Sequence, residues 1–293
     1  MTRLHTLLSL ALLALLLTLT GCEEESPSAT LDAARQDAEA RSELEQVFQY
    51  VDDAANQQYN GTGKTTNTIL EPCIDTTWKN LDLVNKQGEL ELEFTGTDGC
   101  LCKDGITRFG KVIVSWEGGY RQEGTKSTTT LEDYFIKKPF DDEKVGVEGT
   151  RTVENLGNSS GNFRYRSIVN GATLNYPDNT TITWSSDLIS ERVSGEGTFD
   201  PRDDVYTITG TSNGTTRKGD NFDGTIGTPL TFDMGCLFDS GVRQFIDGEV
   251  TYETANNTLR LNYGYSDGTA TGECDRKVEV QFNELSPQVI DLY

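Results

Sequence analysis

The chain has 293 residues and carries 47 Asp and Glu against 25 Lys and Arg, a formal net charge of −22. A surface this acidic repels phosphate groups, so nucleic acid is excluded as an expected partner. The single histidine is His5, and a chain that lost its first residues would have no imidazole for Ser-His-Asp or Cys-His catalysis, or for the common zinc and iron sites.

Residues 1–21 have the pattern of a secretory signal peptide, with Arg3 as the positive charge, an apolar stretch over 7–19, and the small residue Gly21. The apolar stretch is shorter than the about 20 residues that a membrane-spanning helix needs. The sequence Leu-Thr-Gly-Cys that ends at Cys22 resembles the lipobox of bacterial lipoproteins. This resemblance implies cleavage before Cys22, acylation of Cys22 with palmitate among its acyl chains, and attachment to a membrane by the lipid.

Residues 22–30 are expected to form the lipidated cysteine and a flexible acidic tether. Residues 31–57 are predicted to form one α-helix, with Thr30 as its N-cap. Apolar residues at positions i, i+3, i+4 and i+7 give this helix one face that can pack on a core. They are Leu44, Val47, Phe48 and Val51.

Residues 59–293 are predicted to form an antiparallel β domain, because apolar and polar residues alternate with period two in many segments. Asn170-Gly171 and Asn213-Gly214 are predicted to be two-residue hairpin turns. The predicted fold class is all-β, a long antiparallel meander curled into a barrel-like or sandwich structure and preceded by one N-terminal α-helix. The clearest alternation lies in residues 89–94, 111–116, 259–263 and 278–282.

Five cysteines follow Cys22, and a secreted chain reaches a compartment where disulfides persist. We expect two disulfides, Cys73–Cys100 and Cys236–Cys274. Cys102 is the odd cysteine, and it could replace Cys100 as the partner of Cys73. The oxidising compartment and the missing histidine disfavour a metal site built from cysteines alone.

Trp184 lies in a Thr-rich segment and is expected to be exposed, where its ring could bind a ligand by stacking on a sugar. Asp187, Glu191 and Glu196 lie close to it in the sequence. Glycoside hydrolysis needs two carboxyl groups about 5 to 9.5 Å apart, one of them with a raised pKa. The sequence does not distinguish such a pair from the solvated face of a strand, so no catalytic residue is assigned.

Two acidic turns offer oxygen atoms that calcium could use, but neither follows the EF-hand spacing. Capping of turns by Asp and Asn is the favoured role for both, and no metal or cofactor is predicted. The turns contain Asp200, Asp203 and Asp204, and Asp220, Asn221 and Asp223.

Six segments spread over residues 47–275 carry a resemblance to a known group of proteins. They are residues 47–52, 71–74, 104–114, 147–155, 206–210, and 261–265 leading to 272–275. Cys102 and an insertion over residues 266–271 depart from the pattern. Together they resemble uncharacterised, surface-exposed lipoproteins of Bacteroidota, and the three glutamates after Cys22 resemble the surface-export signal of such proteins. The resemblance implies an outer-membrane location with the chain facing outward, and it transfers no catalytic residue.

We therefore expect a lipid-anchored lipoprotein of the cell envelope, on the outer membrane at the cell surface, with a non-enzymatic role in binding or envelope interaction. Its expected partners are the membrane, through the lipid on Cys22, and a glycan or an envelope protein. The alternative function is a polysaccharide-active enzyme that uses paired carboxylates.

Overall fold

The structure is a computed structural model that describes residues 72–82, 84–102, 105–119, 122–139, 142–158, 161–195, 197–198, 200–242, 244–266, 269–270 and 273–291. The expected signal peptide, Cys22, the tether and the helix over 31–57 lie outside the described residues. No helix in the described part of the chain is long and apolar enough to cross a membrane.

The described residues are mostly β-strand, which confirms the all-β prediction. Two short helical turns, Pro201–Asp203 and Cys236–Ser240, interrupt the strands. The strands are β1 Ile74–Asp82, β2 Gln87–Phe94, β3 Cys100–Leu101, β4 Thr107–Glu117, β5 Lys126–Lys137, β6 Val145–Glu148, β7 Thr150–Asn155, β8 Arg164–Asn175, β9 Thr181–Ser194, β10 Val205–Thr215, β11 Asn221–Asp233, β12 Asp247–Thr254, β13 Thr258–Tyr263, β14 Tyr265–Ser266, β15 Thr269–Ala270, β16 Lys277–Phe282 and β17 Gln288–Asp291.

Fifteen of these strands form one antiparallel sheet. Its hydrogen-bonded order is β1-β2-β4-β5-β6-β8-β9-β10-β11-β12-β13-β16-β17. The short strand β3 pairs with β4, and β7 pairs with both β5 and β8, while β14 and β15 form a separate hairpin. Nearly every strand pairs with its neighbours in the sequence, so the predicted antiparallel meander is confirmed.

Alternation of side chains explains why the strands form. In β2, Leu90 and Leu92 are completely buried, while the intervening Glu91 points to the opposite face. The carboxylate of Glu91 pairs with Lys79 on β1 and with Lys111 on β4, the latter at 3.0 Å. One face of the sheet therefore supplies the apolar core, and the other is covered by charge pairs between strands.

The two predicted Asn-Gly hairpin turns are wrong, because both dipeptides lie inside long strands. Asn170 and Gly171 belong to β8, where the pairing with β9 shifts register and Gly171 has a φ of 60°. Asn213 and Gly214 lie near the end of β10, and Gly214 faces Trp184 in regular pairing. The neighbouring strands extend these pairings past the turn signal, so tertiary context overrides the local preference.

The actual turns after β8 and β10 are the five-residue segments 176–180 and 216–220. Each is closed at its base by a backbone hydrogen bond, with N–O distances of 3.0 and 2.8 Å. Arg217 of the second turn donates from Nη2 to Asp178 of the first at 2.7 Å, and its guanidinium lies 3.9 Å from the ring centroid of Tyr176. The two turns are thereby joined at one end of the sheet.

The structure holds two cysteine pairs in disulfide geometry, and they are the two pairs favoured by the sequence. The Cα atoms of Cys73 and Cys100 are 5.4 Å apart, and those of Cys236 and Cys274 are 5.1 Å apart. Cys102 lies outside both pairs, buried, with its Sγ 3.6 Å from the carbonyl oxygen of Cys100. The first pair joins the start of β1 to β3, and the second joins the helical turn after β11 to the segment before β16.

Candidate functional site

A pocket of about 70 Å³ lies on the buried face of the sheet. Residues from β7 through β13 border it, with Arg151 at one side and Tyr263 at the other. Seven neighbouring strands laid flat would span about 29 Å, since adjacent strands lie about 4.8 Å apart. The sheet therefore curves around the pocket, which brings strands that are distant in the pairing order to one site.

Small side chains on the inner face of the sheet leave room for the pocket. Ser186 on β9, Ser212 on β10 and Gly224 on β11 lie in register on the inner face, and Tyr252 on β12 continues the row. A Cβ atom added at Gly224 would lie 2.7 Å from Cδ1 of Tyr252 and would also strike Ser212. Glycine at this position lets the Tyr252 ring lie across the strand, and the small side chain of Ser212 at the border leaves volume for the pocket.

Trp184 borders the pocket and is only 3% exposed, so the predicted exposure of this residue is wrong. Thr183 and Ser185 take the outer face of β9, and the period of two turns Trp184 inward. Its direct neighbours on the adjacent strands are Ala172 and Gly214, which are small enough to leave room for the indole. An exposed platform for sugar stacking is therefore not present at Trp184.

The indole Nε1–H of Trp184 is buried and has no hydrogen-bond acceptor among the described residues. Leaving a buried donor unsatisfied costs about 1–3 kcal/mol, and such groups in folded proteins call for a structural explanation. Trp184 borders the pocket but its Nε1 is itself enclosed, so an acceptor held inside the pocket supplies the missing bond only if the indole ring shifts toward it.

Arg151 brings a positive charge to the same pocket. It is 9% exposed, and its Nε donates a hydrogen bond to Oγ of Ser167 at 2.6 Å. Since the Ser167 oxygen accepts this bond, its own hydroxyl hydrogen points elsewhere and can be donated to a second group. None of the described residues that border the pocket is Asp or Glu.

Aromatic and aliphatic side chains form the rest of the wall. The Phe245 and Tyr263 rings meet edge to face with centroids 5.1 Å apart. Burial raises the pKa of Tyr263 far above its usual value, so the phenol stays protonated and remains a possible donor. The aliphatic residues at the border are Leu188, Ile208, Ile226, Leu230 and Val250.

The two described acidic residues near Trp184 in the sequence, Asp187 and Glu191, lie on the outer face of β9, away from the pocket. Asp187 accepts a hydrogen bond from Nε of Arg166 at 2.8 Å, and this interaction lowers the pKa of Asp187, opposite to the need of a general acid. Glu191 lies four residues further along β9, about 13 Å for an extended strand, beyond the separation that glycoside hydrolysis uses. Glu196 lies outside the described residues.

The acidic turns are occupied by contacts within the chain. Asp203 accepts a hydrogen bond from the Thr198 hydroxyl at 2.8 Å, and Oδ1 of Asp204 lies 3.6 Å from Nη1 of Arg192. Asp220 closes the second hairpin turn through its backbone. Within the described part of the chain, no group of three or more His, Cys, Asp or Glu side chains is arranged to hold a metal ion.

Comparisons of this chain with protein-family models, with curated proteins and with solved structures found no match.

Proposed function

We propose that this chain is a lipid-anchored envelope protein that binds a small molecule in the pocket bordered by β7 to β13. The observation that carries the proposal is the buried indole N–H of Trp184, which borders the pocket and has no acceptor among the described residues. A bound molecule with an acceptor atom would satisfy this donor. The carboxylates of β9 lie on the opposite face, so binding is supported here and hydrolysis is not.

The size of the pocket favours a small ligand over a glycan chain. A volume of about 70 Å³ is about twice the share of liquid volume that one water molecule takes, about 30 Å³, and less than half of the about 150 Å³ of an apolar cavity that binds benzene. An oligosaccharide has many more atoms, so the proposed ligand is a single small molecule.

The curvature around the pocket also supports a barrel-like form of the meander over a sandwich. A sandwich has two stacked sheets, whereas fifteen described strands here belong to one hydrogen-bonded sheet. In this proposal the inner face of a curled sheet forms the binding chamber, and the N-terminal helix precedes it.

The location is proposed from the sequence. Cleavage before Cys22 and its acylation would hold the β domain on the outer membrane, and the acidic residues after Cys22 support display at the cell surface. A pocket at that place would meet small solutes of the surroundings before they enter the cell.

The binding function is tested by adding small compounds to the wild type and to a variant in which an added side chain occupies the pocket. A panel of small alcohols, amides, carboxylates and amines is added to the full chain, and the melting temperature is recorded for the wild type, Gly224→Ala and Gly227→Ala. Gly227 lies on the same strand, and a Cβ there would meet only the end of the Glu249 side chain at 4.0 Å. We expect at least one compound to stabilise the wild type and the Gly227 variant but not the Gly224 variant.

Two results would contradict the binding function: no compound stabilises the wild type, or the compounds stabilise all three proteins equally. Ser212→Val narrows the same floor without altering a glycine and replaces Gly224→Ala if that variant does not fold.

The anchor is tested separately in cells. Incorporation of a palmitate analogue into the wild type and into Cys22→Ala is compared, and protease is added to intact cells. We expect labelling that depends on Cys22 and digestion of the β domain from outside. Equal labelling of the two proteins would contradict lipidation at Cys22, and full protection from protease would contradict surface display.

A further inference from the structure

The dipeptide Asn170-Gly171 lies inside β8 but outside its regular pairing. On the side of β9, both residues lie opposite the single residue Ser185. On the other side, β7 pairs with β8 only up to Val169, and β6 pairs with it only from Thr173 onward. This arrangement is a β-bulge, in which an extra residue has no partner in the ladder.

Both residues of the dipeptide are exposed, and the space around the glycine is open. Apart from its two chain neighbours, no described residue has a heavy atom within 4 Å of a Cβ added at Gly171. The backbone N–H of Gly171 donates to the hydroxyl oxygen of Ser185 at 2.9 Å, in place of a ladder carbonyl. Rotation of one serine side chain therefore releases this nitrogen without opening the sheet.

We propose that Asn170 is a site of spontaneous chemical modification, in which its side-chain amide closes onto the backbone nitrogen of Gly171 to form a succinimide. Water then opens the succinimide to aspartate and isoaspartate. This inference stands apart from the proposed binding function of the pocket.

Water is the only co-reactant that the modification needs. The Gly171 nitrogen loses its proton to solvent and attacks Cγ of Asn170, so that an N–Cγ bond forms. The bond from Cγ to Nδ2 breaks, and Nδ2 leaves as ammonia after taking a proton from solvent. Glycine has no Cβ, so no side chain obstructs this approach.

The five-membered ring is opened by water in two ways. Breaking the bond between the nitrogen and Cγ gives aspartate, and breaking the bond between the nitrogen and the backbone carbonyl carbon gives isoaspartate. In isoaspartate the main chain runs through the former side chain and is longer by one carbon atom. The change comes just before Ala172, whose partner Trp184 borders the pocket.

The same dipeptide occurs in β10 and supplies a control within the molecule. Asn213 pairs directly with Ser185 of β9 on one side and with Asp223 of β11 on the other, and Gly214 is also paired on both sides. Asn213 is exposed like Asn170, so the two dipeptides differ in backbone pairing and not in access to water. Reaction at Asn213 requires the ladder to open first, which costs free energy.

The test follows both dipeptides in one sample. The full chain is incubated in mildly alkaline buffer, either folded or reduced and unfolded in concentrated urea, and is then digested with trypsin. The two sites fall in separate peptides, residues 167–192 and 203–217, and a third Asn-Gly at residues 60 and 61 falls in another. Mass spectrometry measures the conversion of amide to acid, electron-transfer fragmentation locates isoaspartate, and a sample digested at time zero is the blank.

We expect Asn170 of the folded chain to be converted at least about tenfold faster than Asn213, because only Asn213 is protected by the ladder. In urea, where no ladder protects either site, we expect the two rates to be similar.

Two variants test the assigned atoms. Gly171→Ala places a methyl group beside the attacking nitrogen, so it should lose most of the conversion at Asn170 and leave Asn213 unchanged. This loss is also measured in urea, where folding of the variant is not needed. Ser185→Ala removes the hydrogen bond that holds the nitrogen, and conversion at Asn170 should be at least as fast as in the wild type.

Equal conversion of Asn170 and Asn213 in the folded chain would overturn the inference, since the bulge would then make no difference. An Asn170 that reacts in urea but stays intact in the folded chain would overturn it as well. A several-fold slower reaction in Ser185→Ala would contradict the role given to the serine. None of these results bears on the binding of small compounds, which is measured on freshly prepared protein.

Discussion

Polar side chains have different hydrogen-bond partners on the two faces of the sheet. On the outer face, Glu91 and Asp187 pair with cations of neighbouring strands, and the exposed pair of Arg166 and Asp187 contributes little to stability. On the inner face, Trp184 keeps a donor without an acceptor among the described residues, and the Ser167 hydroxyl has a hydrogen to donate. Polar groups that pair with one another between strands and polar groups that could bind a ligand therefore lie on opposite faces of the sheet.

The pKa of the Asp178 carboxyl gives a prediction at the scale of a single residue. Hydrogen bonds from the Thr180 hydroxyl, at 2.5 Å, and the Thr180 backbone N–H, with Arg217 nearby, lower the pKa of Asp178 to about 2. We expect an NMR titration of the Asp178 carboxyl to show this value. Thr180→Val should raise the pKa more than Arg217→Ala, because the Thr180 hydroxyl is the largest cause.

The direction of the effect on stability follows from the lowered pKa. The ionised form is favoured in the folded state, so the stabilising contribution is full above the ordinary carboxyl value of 3.8 and is lost as the pH falls through about 2. A titration midpoint near 3.8 in the wild type would contradict the contacts assigned to this turn.

At the scale of single elements, alternation was enough to predict several strands. Glu-Leu repeats in β2 put all the leucines on one face, so both the strand and its buried side are readable from the sequence. In β9, Ile182 and Trp184 alternate with small polar residues, so the buried side of Trp184 is readable from the sequence and the expectation of an exposed ring did not use this pattern. The alternation ends after Trp184, because Ser185 and Ser186 are both small and polar.

The pocket could not be predicted from the sequence, since residues from seven strands meet there only because the sheet curves. One signal was present: Gly210, Gly214 and Gly224 lie within strands, where a missing side chain often marks a bend or close packing. Glycines inside strands are typical of a curved sheet, but they do not give the position of the space that curvature creates.

Gly214 supplies a prediction for the strands. A Cβ at this position would collide with the backbone of Thr183, beside Trp184. Gly214→Ala should lower the free energy of unfolding by about 1–3 kcal/mol through overpacking, whereas Gly227→Ala on β11 should change it little. Urea unfolding of both variants checks this, and an equal effect at the two positions would show that close packing at Gly214 is not the cause.

At the scale of the whole molecule, two disulfides join parts of the chain that are 27 and 38 residues apart. Loops of this length correspond to a stabilisation of about 3.5–4 kcal/mol each in the chain-entropy treatment. We expect the double variants Cys73→Ser/Cys100→Ser and Cys236→Ser/Cys274→Ser each to lose about this amount in urea unfolding. Cys102→Ser, outside both pairs, serves as the control and should lose much less.

If Cys102→Ser destabilised the protein as much as removal of Cys73 and Cys100, the assignment of the first disulfide would be wrong. The same would hold if a reducing agent left the unfolding curve of the wild type unchanged.

The central claim is that the pocket holds a small molecule whose acceptor satisfies the Trp184 N–H. The most direct test follows the three indole N–H signals of the full chain by NMR while the panel compound that stabilises the wild type most is added, with Trp184→Phe identifying its own signal. We predict that the Trp184 signal moves downfield, as expected on hydrogen bonding to an acceptor, while those of Trp78 and Trp116 stay in place. A Trp184 signal that does not move when the compound is at saturation, or a shift confined to Trp78 or Trp116, would contradict the account.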